Sequence, residues 1–311
     1  MSGKNDRGRC VPIRIYSVTN KDLFMAGINS HIKTKMQLLT SFLRMKPSFI
    51  IVGEAKCGTT SLYRYLNQHP DILPADVKEP GNFIQCGGSE MFCRMHYPLQ
   101  LKALVRSWQG QTTLTGEATA EYFSRTEVPI NIRKVVPNAK IIVMFRNPVT
   151  RAFSDYQMLN QNGIINESFE TIAERSIKWL ADDNLKPLID IVRQVEHNPF
   201  RVIERGLYCT KLDYWRKHFD NRSILFIKSE DMFNRPQDIV NSVFEFLDLK
   251  PYVLKDLSIK RKGVYNSLLS REAANRLKEF YRPFNQELYN LVGRNFNWEA
   301  ETEKLLSDLS V

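Results

Sequence analysis

The sequence predicts an α/β fold, a three-layer sandwich in which helices flank both faces of a central parallel sheet. Three apolar runs of buried-strand type, at 49–53, 141–145 and 223–228, alternate with helical stretches. The 311 residues, of which 43% are hydrophobic, suffice for one large domain, and no Gly/Ser linker, repeat or low-complexity tract divides them. Ligands bind such sheets at the carboxyl ends of the strands, so we expect function in the segments that follow the strands.

The predicted domain covers residues 47–300. Residues 1–46 are expected to be an N-terminal extension, partly disordered because Met1–Arg9 is polar. Within the extension, Met36–Met45 is predicted to form a short amphipathic helix that packs on the domain. Residues 301–311 are expected to be a C-terminal tail.

The first strand runs into a turn that contains two glycines, Gly53-Glu-Ala-Lys-Cys-Gly58, and Thr59–Gln68 then has a helical pattern. Glycines allow a close backbone approach that a side chain would block. The unpaired N–H groups and the dipole at the start of a helix favour an anion. Lys56 adds a positive charge, and three successive hydroxyls follow: Thr59, Thr60 and Ser61. Phosphate binding is therefore favoured over an ordinary strand-to-helix turn.

This loop is P-loop-like, but it departs from the pattern of nucleotide triphosphatases. The two glycines have the Walker spacing, yet Thr59 stands where the lysine should be, and the lysine of the loop is Lys56. The second strong strand ends in Arg146, where a magnesium site would need an acid. Both departures disfavour a P-loop kinase or NTPase, the remote alternative, and predict no metal.

A second anion site is predicted after the strand at 141–145. Arg146 stands at the strand end, Pro148 suits the first turn of a new helix, and Ser154 follows about two helical turns later. Taken alone, Arg146 could pair with an acid and Ser154 could be a core hydroxyl. Taken with the first loop, the pair is specific.

The two segments resemble the nucleotide motifs of sulfotransferases that use 3′-phosphoadenosine 5′-phosphosulfate (PAPS) and release adenosine 3′,5′-bisphosphate. In that family, a Lys-x-Gly-Thr-Thr-Ser loop holds the 5′-phosphosulfate, and an Arg…Ser pair holds the 3′-phosphate. The resemblance gives Arg146 and Ser154 the second role. It gives the first role to the loop residues Lys56, Cys57, Gly58, Thr59, Thr60 and Ser61.

Further segments extend the resemblance over roughly residues 47–298. They are Gly116–Tyr122, the Arg-Gly-Xaa-Tyr helix that contains Tyr208, and a late loop that closes over the nucleotide. The resemblance adds four residues to the predicted nucleotide contacts: Tyr208, Arg261, Lys262 and Gly263.

The resemblance implies metal-independent in-line transfer of a sulfuryl group, which depends on positioning and charge stabilisation. Lys78-Glu79-Pro80 to Phe83 is similar to a Lys-Glu-Pro-x-x-Phe stretch in which the glutamate is the catalytic base. Glu79 is therefore the predicted base, and Lys78 stabilises the sulfuryl oxygens or binds substrate, although a loop salt bridge is the plainer interpretation. Glu117 and His96 are alternative bases, and with Tyr122 they are candidate acceptor contacts.

The predicted acceptor is a hydroxyl or amine of a small molecule, with a carbohydrate such as a glycosaminoglycan as the alternative. Sugar-modifying Golgi members often carry an arginine where this chain has Val264 and a lysine where it has Ala118. Both departures disfavour a heparan-type substrate. The polar stretch 157–200 is expected to form part of the acceptor wall or a lid.

The net charge of +10 comes from scattered lysines and arginines, which suits a nucleotide cleft or an acidic polysaccharide and disfavours a nucleic acid. The five cysteines show no metal spacing, and Cys57 is expected to be a packing residue. No membrane span or signal peptide is recognised, which predicts a cytoplasmic enzyme, either a monomer or a homodimer.

Overall fold

A computed structural model of the protein describes residues 33–85, 87–182, 199–258 and 268–308. Its sheet contains the strands β1 Phe49–Gly53, β2 Ile72–Pro74, β3 Leu114–Ala118, β4 Lys140–Phe145 and β5 Ile224–Lys228. All neighbouring pairs are parallel, and the strands lie in the order β2-β3-β1-β4-β5. The predicted parallel α/β sandwich is confirmed, and β2 and β3 are strands that the sequence did not predict.

Helices connect the strands and cover the sheet. They are α1 Thr59–Leu66, α2 Asn82–Gln85, α3 Glu90–Arg94, α4 Gln100–Trp108, α5 Glu127–Val135, α6 Pro148–Gln161, α7 Phe169–Asp182, α8 Arg201–Glu204, α9 Tyr208–Arg216, α10 Ser229–Asn234, α11 Pro236–Phe246, α12 Arg271–Val292 and α13 Trp298–Asp308. Short 3₁₀ turns occur at Ser41–Leu43, Ala120–Ser124 and Asn221–Ser223.

The two faces of the sheet carry separate cores because successive residues of a strand point to opposite sides. Ile141, Val143 and Phe145 of β4 pack with α5, α9 and the end of α12. Ile142 and Met144 pack on the other face with α1 and α11. Burial on both faces explains why β1 and β4 are continuous apolar runs.

The C-terminal helix α13 packs on the segments that follow β4 and β5. Asn147 caps α6 by accepting from the N–H of Val149, and its amide donates to Trp298 O at 3.2 Å and to Thr302 Oγ1 at 2.9 Å. The buried Lys228 ammonium donates to Phe296 O at 2.6 Å and pairs with Glu301. Helix α13 therefore runs across the predicted boundary at 300/301 and is packed on both sides of it.

The described part of the N-terminal extension lies against the domain. Residues 33–39 are helical, and the 3₁₀ turn Ser41–Leu43 follows, in place of one helix over Met36–Met45. Arg44 Nη1 donates to Tyr97 O at 2.6 Å and pairs with Asp76 at 2.8 Å. The polar start Met1–Arg9 lies outside the described residues.

Among the helices that the structure describes, none is long and apolar enough to cross a lipid bilayer.

Gly116 is required where β3 lies against β1. A Cβ atom at this position would lie 2.5 Å from the carbonyl oxygen of Phe49 and 2.6 Å from its ring. Both belong to a buried central strand, so neither can move without disturbing the sheet.

We expect Gly116→Ala to lower the free energy of unfolding by about 1–3 kcal/mol, because the added methyl group overpacks the β1–β3 contact. Urea unfolding would measure the change. The exposed Ser107→Ala on α4 is the control and should change stability by less than about 0.5 kcal/mol. Equal unfolding midpoints for the two variants would contradict the packing argument.

Candidate functional site

The turn between β1 and α1, together with the first residues of that helix (54–61), is called here the anion-binding loop because the sequence predicts that it binds an anion. Helix α1 begins directly after Gly58, whose φ of 88° lies in the left-handed region. A Cβ at Gly58 would lie 2.9 Å from the side chains of Met232 and Phe233, so space also requires glycine there. The N–H groups of Ser61 and Leu62 already bond to Gly58 O, at 3.0 and 3.1 Å. The N–H groups at the very start of the helix are those that lack an intrahelical acceptor.

The side chains of this loop divide into buried and accessible groups. Cys57, Thr59 and Ser61 are buried, whereas Lys56 and Thr60 are partly exposed. Burial raises the pKa of the Cys57 thiol to about 12, so the thiol stays protonated at neutral pH and is a poor nucleophile. The Lys56 ammonium lies 3.5 Å from the Met158 sulfur on α6. The cation of the loop therefore faces the helix that follows Arg146.

Arg146 is brought directly to this loop. Its Nη1 donates to the carbonyl oxygen of Lys56 at 3.1 Å, and its Nε donates to Thr150 Oγ1 at 3.2 Å. Ser154 is buried one helical turn beyond Thr150. The two segments predicted to bind anions thus lie side by side, with two cationic side chains at the start of α1.

The buried Tyr208 side chain contacts both of these segments. It is 1% exposed, its hydroxyl donates to Arg146 O at 2.9 Å, and the same oxygen lies 3.8 Å from Cys57 Sγ. The side chain predicted to contact the nucleotide is therefore packed against the backbone that carries Arg146.

The predicted base Glu79 lies on the loop between β2 and α2, residues 75–81, here called the Glu79 loop. Its side chain is exposed and forms an ion pair with Lys78, as the plainer interpretation expected. Its φ of 55° is unusual for a residue other than glycine. The N–H of Gly81 lies 3.5 Å from Thr119 Oγ1, and Thr119 N donates to Ile51 O at 3.1 Å. The Glu79 loop therefore reaches the same edge of the sheet as the anion-binding loop.

Glu117, the alternative base, is fully buried at the end of β3. Its carboxylate accepts from Tyr97 OH at 2.5 Å, from Thr119 Oγ1 at 2.7 Å and from Tyr122 OH at 3.2 Å. Burial raises the pKa of Glu117 to about 7, although the three hydroxyl donors oppose this rise. Tyr122 is also fully buried, so neither Glu117 nor Tyr122 reaches the surface as a contact for the acceptor.

The remaining predicted residues are placed as follows. His96 is half-buried, with Nδ1 2.8 Å from Asn82 Oδ1, and burial lowers its pKa. Ala118 is fully buried in β3, opposite Ile51 of β1. The late loop and its residues Arg261, Lys262, Gly263 and Val264 lie outside the described residues.

Glu54 is a site residue that the sequence analysis missed. It is fully buried within the anion-binding loop, and its carboxylate accepts from Ala55 N at 2.8 Å and from Ser124 Oγ at 2.6 Å. Lys211 and Arg205 approach it at 3.5 and 3.8 Å. The signal available in the sequence was an acidic residue inside a turn predicted to bind anions. The negative charge of such a carboxylate has to be neutralised by nearby cations.

We expect Glu117 to make folding pH-dependent. Its pKa rises from 4.5 to about 7 on folding, so between these values the folded state holds a proton that the unfolded state has lost. The free energy of unfolding should fall by about 3 kcal/mol as pH rises through this window. Glu117→Gln removes this contribution. Urea unfolding of both proteins at pH 4 and pH 8 should show wild type losing stability relative to the variant, and a constant difference would contradict the assignment.

Comparisons with known proteins identify the family of this chain. The family model of the sulfotransferase domain matches residues 46–287. The chain is 32% identical over 279 residues to heparan sulfate glucosamine 3-O-sulfotransferase 6 of Homo sapiens, which covers 82% of this chain and 74% of that protein. It is also 30% identical over 291 residues to heparan sulfate glucosamine 3-O-sulfotransferase 3A1 of Homo sapiens, and this match covers 85% of this chain. This chain spans 65% of the length of that second relative.

A solved structure shows the same fold. The sulfotransferase from Alicyclobacillus acidocaldarius superposes with a TM-score of 0.60 at 26% identity, over 82% of this chain and 99% of that one. With the family match spanning most of the chain, the protein belongs to the sulfotransferase domain family.

Proposed function

We propose that the protein transfers a sulfuryl group from PAPS to a sugar hydroxyl of a heparan-type polysaccharide. The contact between Arg146 and the carbonyl oxygen of Lys56 carries this proposal. It brings two cationic side chains together at a helix start while anchoring them on two different strands. A donor with two separate phosphate groups fits that arrangement.

The donor site assigns a role to each segment. The start of α1, with Lys56, Thr59, Thr60 and Ser61, receives the 5′-phosphosulfate, and Arg146 with Ser154 receives the 3′-phosphate. Bound PAPS supplies the sulfuryl group on a phosphate leaving group. Lys56 and the N–H groups of the helix start stabilise the charge that develops on the departing phosphate, without having to reorganise during the reaction.

Glu79 takes the proton from the acceptor hydroxyl. Its carboxylate is exposed at the edge where the donor site lies, and Lys78 holds it by an ion pair. The sheet order supports separate places for the base and for the 3′-phosphate site, because β2 and β4 lie on opposite sides of the β3–β1 pair. The Glu79 loop and Arg146 therefore approach the anion-binding loop from opposite sides. The acceptor and the 3′-phosphate can then enter the site from different directions.

The comparisons favour a sugar acceptor over the predicted small molecule. Both curated relatives named above are heparan sulfate glucosamine 3-O-sulfotransferases, and the net charge of +10 suits an acidic polysaccharide. The names of these relatives also favour a hydroxyl over an amine. Ala118 remains a difference from sugar-modifying members, and it is buried opposite Ile51 of β1. The compartment and the oligomeric state stay predictions.

We expect the purified protein to move label from radioactive PAPS to a heparan sulfate oligosaccharide in the presence of EDTA, because no step is assigned to a metal. Parallel incubations contain a simple phenol or an N-deacetylated oligosaccharide, and mass spectrometry locates the added sulfuryl group. Adenosine 3′,5′-bisphosphate should bind more tightly than ATP with magnesium. Label in the phenol alone would overturn the sugar acceptor, label on nitrogen would overturn O-transfer, and tighter ATP binding would overturn the donor.

We expect Glu79→Gln to lower kcat by about 10²–10⁴-fold, because the amide cannot accept the acceptor proton. Calorimetry should show nearly unchanged affinity for adenosine 3′,5′-bisphosphate. Asp76→Asn is the matched control, since this carboxylate lies in the same loop and pairs with Arg44. Near-normal kcat in Glu79→Gln would show that another residue is the base.

A further inference from the structure

Four buried side chains lie behind the Glu79 loop and are named here the Glu117 cluster: Glu117, Tyr97, Thr119 and Tyr122. We propose that Glu117 is a positioning residue, which acts through Thr119 and Tyr122 to hold the backbone that presents Glu79 to the acceptor. The inference rests on the proposed role of Glu79 as base, and gives the buried carboxylate a part in the same reaction.

Two hydrogen-bond chains connect the carboxylate to the Glu79 loop and the start of α2. In the first, Gly81 N lies 3.5 Å from Thr119 Oγ1, which donates to Glu117 Oε2 at 2.7 Å. In the second, Phe83 N donates to Tyr122 OH at 3.2 Å, and that hydroxyl donates to Glu117. The two anchored N–H groups come two and four residues after Glu79.

The direction of these bonds depends on the carboxylate. A hydroxyl has one proton, so its donation to Glu117 leaves its lone pairs facing the loop N–H groups. Above its pKa of about 7, the ionised carboxylate of Glu117 only accepts, and therefore aligns Thr119 and Tyr122 at the same time. Linked hydrogen bonds also polarise one another inside a protein. An amide in place of the carboxylate would present a donor to hydroxyls that need an acceptor.

The burial of Glu117 excludes direct proton transfer from the acceptor. A general base must come within hydrogen-bond reach of the proton it removes, and no atom of Glu117 is exposed. Glu79 is exposed but has a φ of 55°, a conformation that persists only where the surroundings fix it. Anchors at Gly81 and Phe83 supply such a constraint.

Further bonds fix the same segment on its C-terminal side. Asn82 Nδ2 donates to Cys93 O at 3.1 Å, and Asn131 Nδ2 donates to Phe83 O at 2.8 Å. With these contacts, the backbone after Glu79 is held from several elements, whereas the Glu79 side chain projects into solvent. The Glu117 cluster supplies the part of this support that lies nearest to Glu79.

Isosteric variants test the link. Thr119→Val keeps the shape but loses the hydroxyl, and Tyr122→Phe does the same at the second chain. We expect each to lower kcat by about 10–100-fold, as small misplacements of catalytic groups do, with unchanged affinity for adenosine 3′,5′-bisphosphate. Thr119→Ser keeps the hydroxyl and should restore kcat. Asp76→Asn is the matched control, because its carboxylate lies in the Glu79 loop but pairs with Arg44, and the described residues show no bond from it to the Glu117 cluster.

A double-mutant cycle separates positioning from general destabilisation. Thr119→Val and Glu117→Gln are each measured in wild type and in Glu79→Gln, with radioactive PAPS to detect low residual rates. If the cluster acts through Glu79, neither should lower kcat further once Glu79 is replaced. An equal fold-loss in both backgrounds would overturn the inference, as would wild-type kcat in Thr119→Val. Nucleotide affinity and thermal midpoints establish that each variant is folded.

The same data distinguish this inference from the proposed function. An inactive Glu79→Gln with fully active Thr119→Val and Tyr122→Phe would overturn only the positioning role. Full activity in Glu79→Gln would overturn the proposed base and the positioning role together. If Glu117→Gln fails to fold, Thr119→Val and Thr119→Ser still decide the test, because these two substitutions change the buried cluster least.

Discussion

Parallel pairing of β1 between β3 and β4 is the constraint on which the rest of the site depends. Phe49 lies opposite Gly116 on one side and Lys140 on the other, which fixes the register of the three strands. Because all three run in the same direction, each delivers its next segment to the same edge of the sheet. Residues that are far apart in sequence, such as Lys56 and Arg146, become neighbours for this reason.

The site combines accessible cations with buried carboxylates, and the two carboxylates are stabilised differently. Glu54 lies among Lys211, Arg205 and the hydroxyl of Ser124, so its charge is offset by cations. Glu117 has hydroxyl partners instead, and burial raises its pKa to about 7. The first arrangement ties the anion-binding loop to α8 and α9 through charge. The second ties the Glu79 loop to β3 through directional hydrogen bonds, which define geometry more strictly.

The sequence predicted the parts of the fold and site that are encoded locally. Strands β1 and β4 are buried on both faces and therefore read as apolar runs, and the anion-binding loop is one contiguous segment. Strand β3 reads Leu-Thr-Gly-Glu-Ala, and the partner of its Thr115 hydroxyl, Leu73 O, is distant in sequence. Strand β2 is three residues long and includes a proline. The burial of Glu117 depends on residues 97, 119 and 122, whose proximity is a tertiary property.

The packing of α13 separates the unit of sequence similarity from the unit of folding. The family match ends at residue 287, before Trp298, Glu301 and Thr302. A fragment cut there would leave the Asn147 amide and the Lys228 ammonium in the interior without the acceptors that α13 and its preceding turn provide. Asn147 is the neighbour of Arg146, so the damage would reach the predicted nucleotide site. The last helix therefore supports the segment that contains Arg146, although it lies outside the family match.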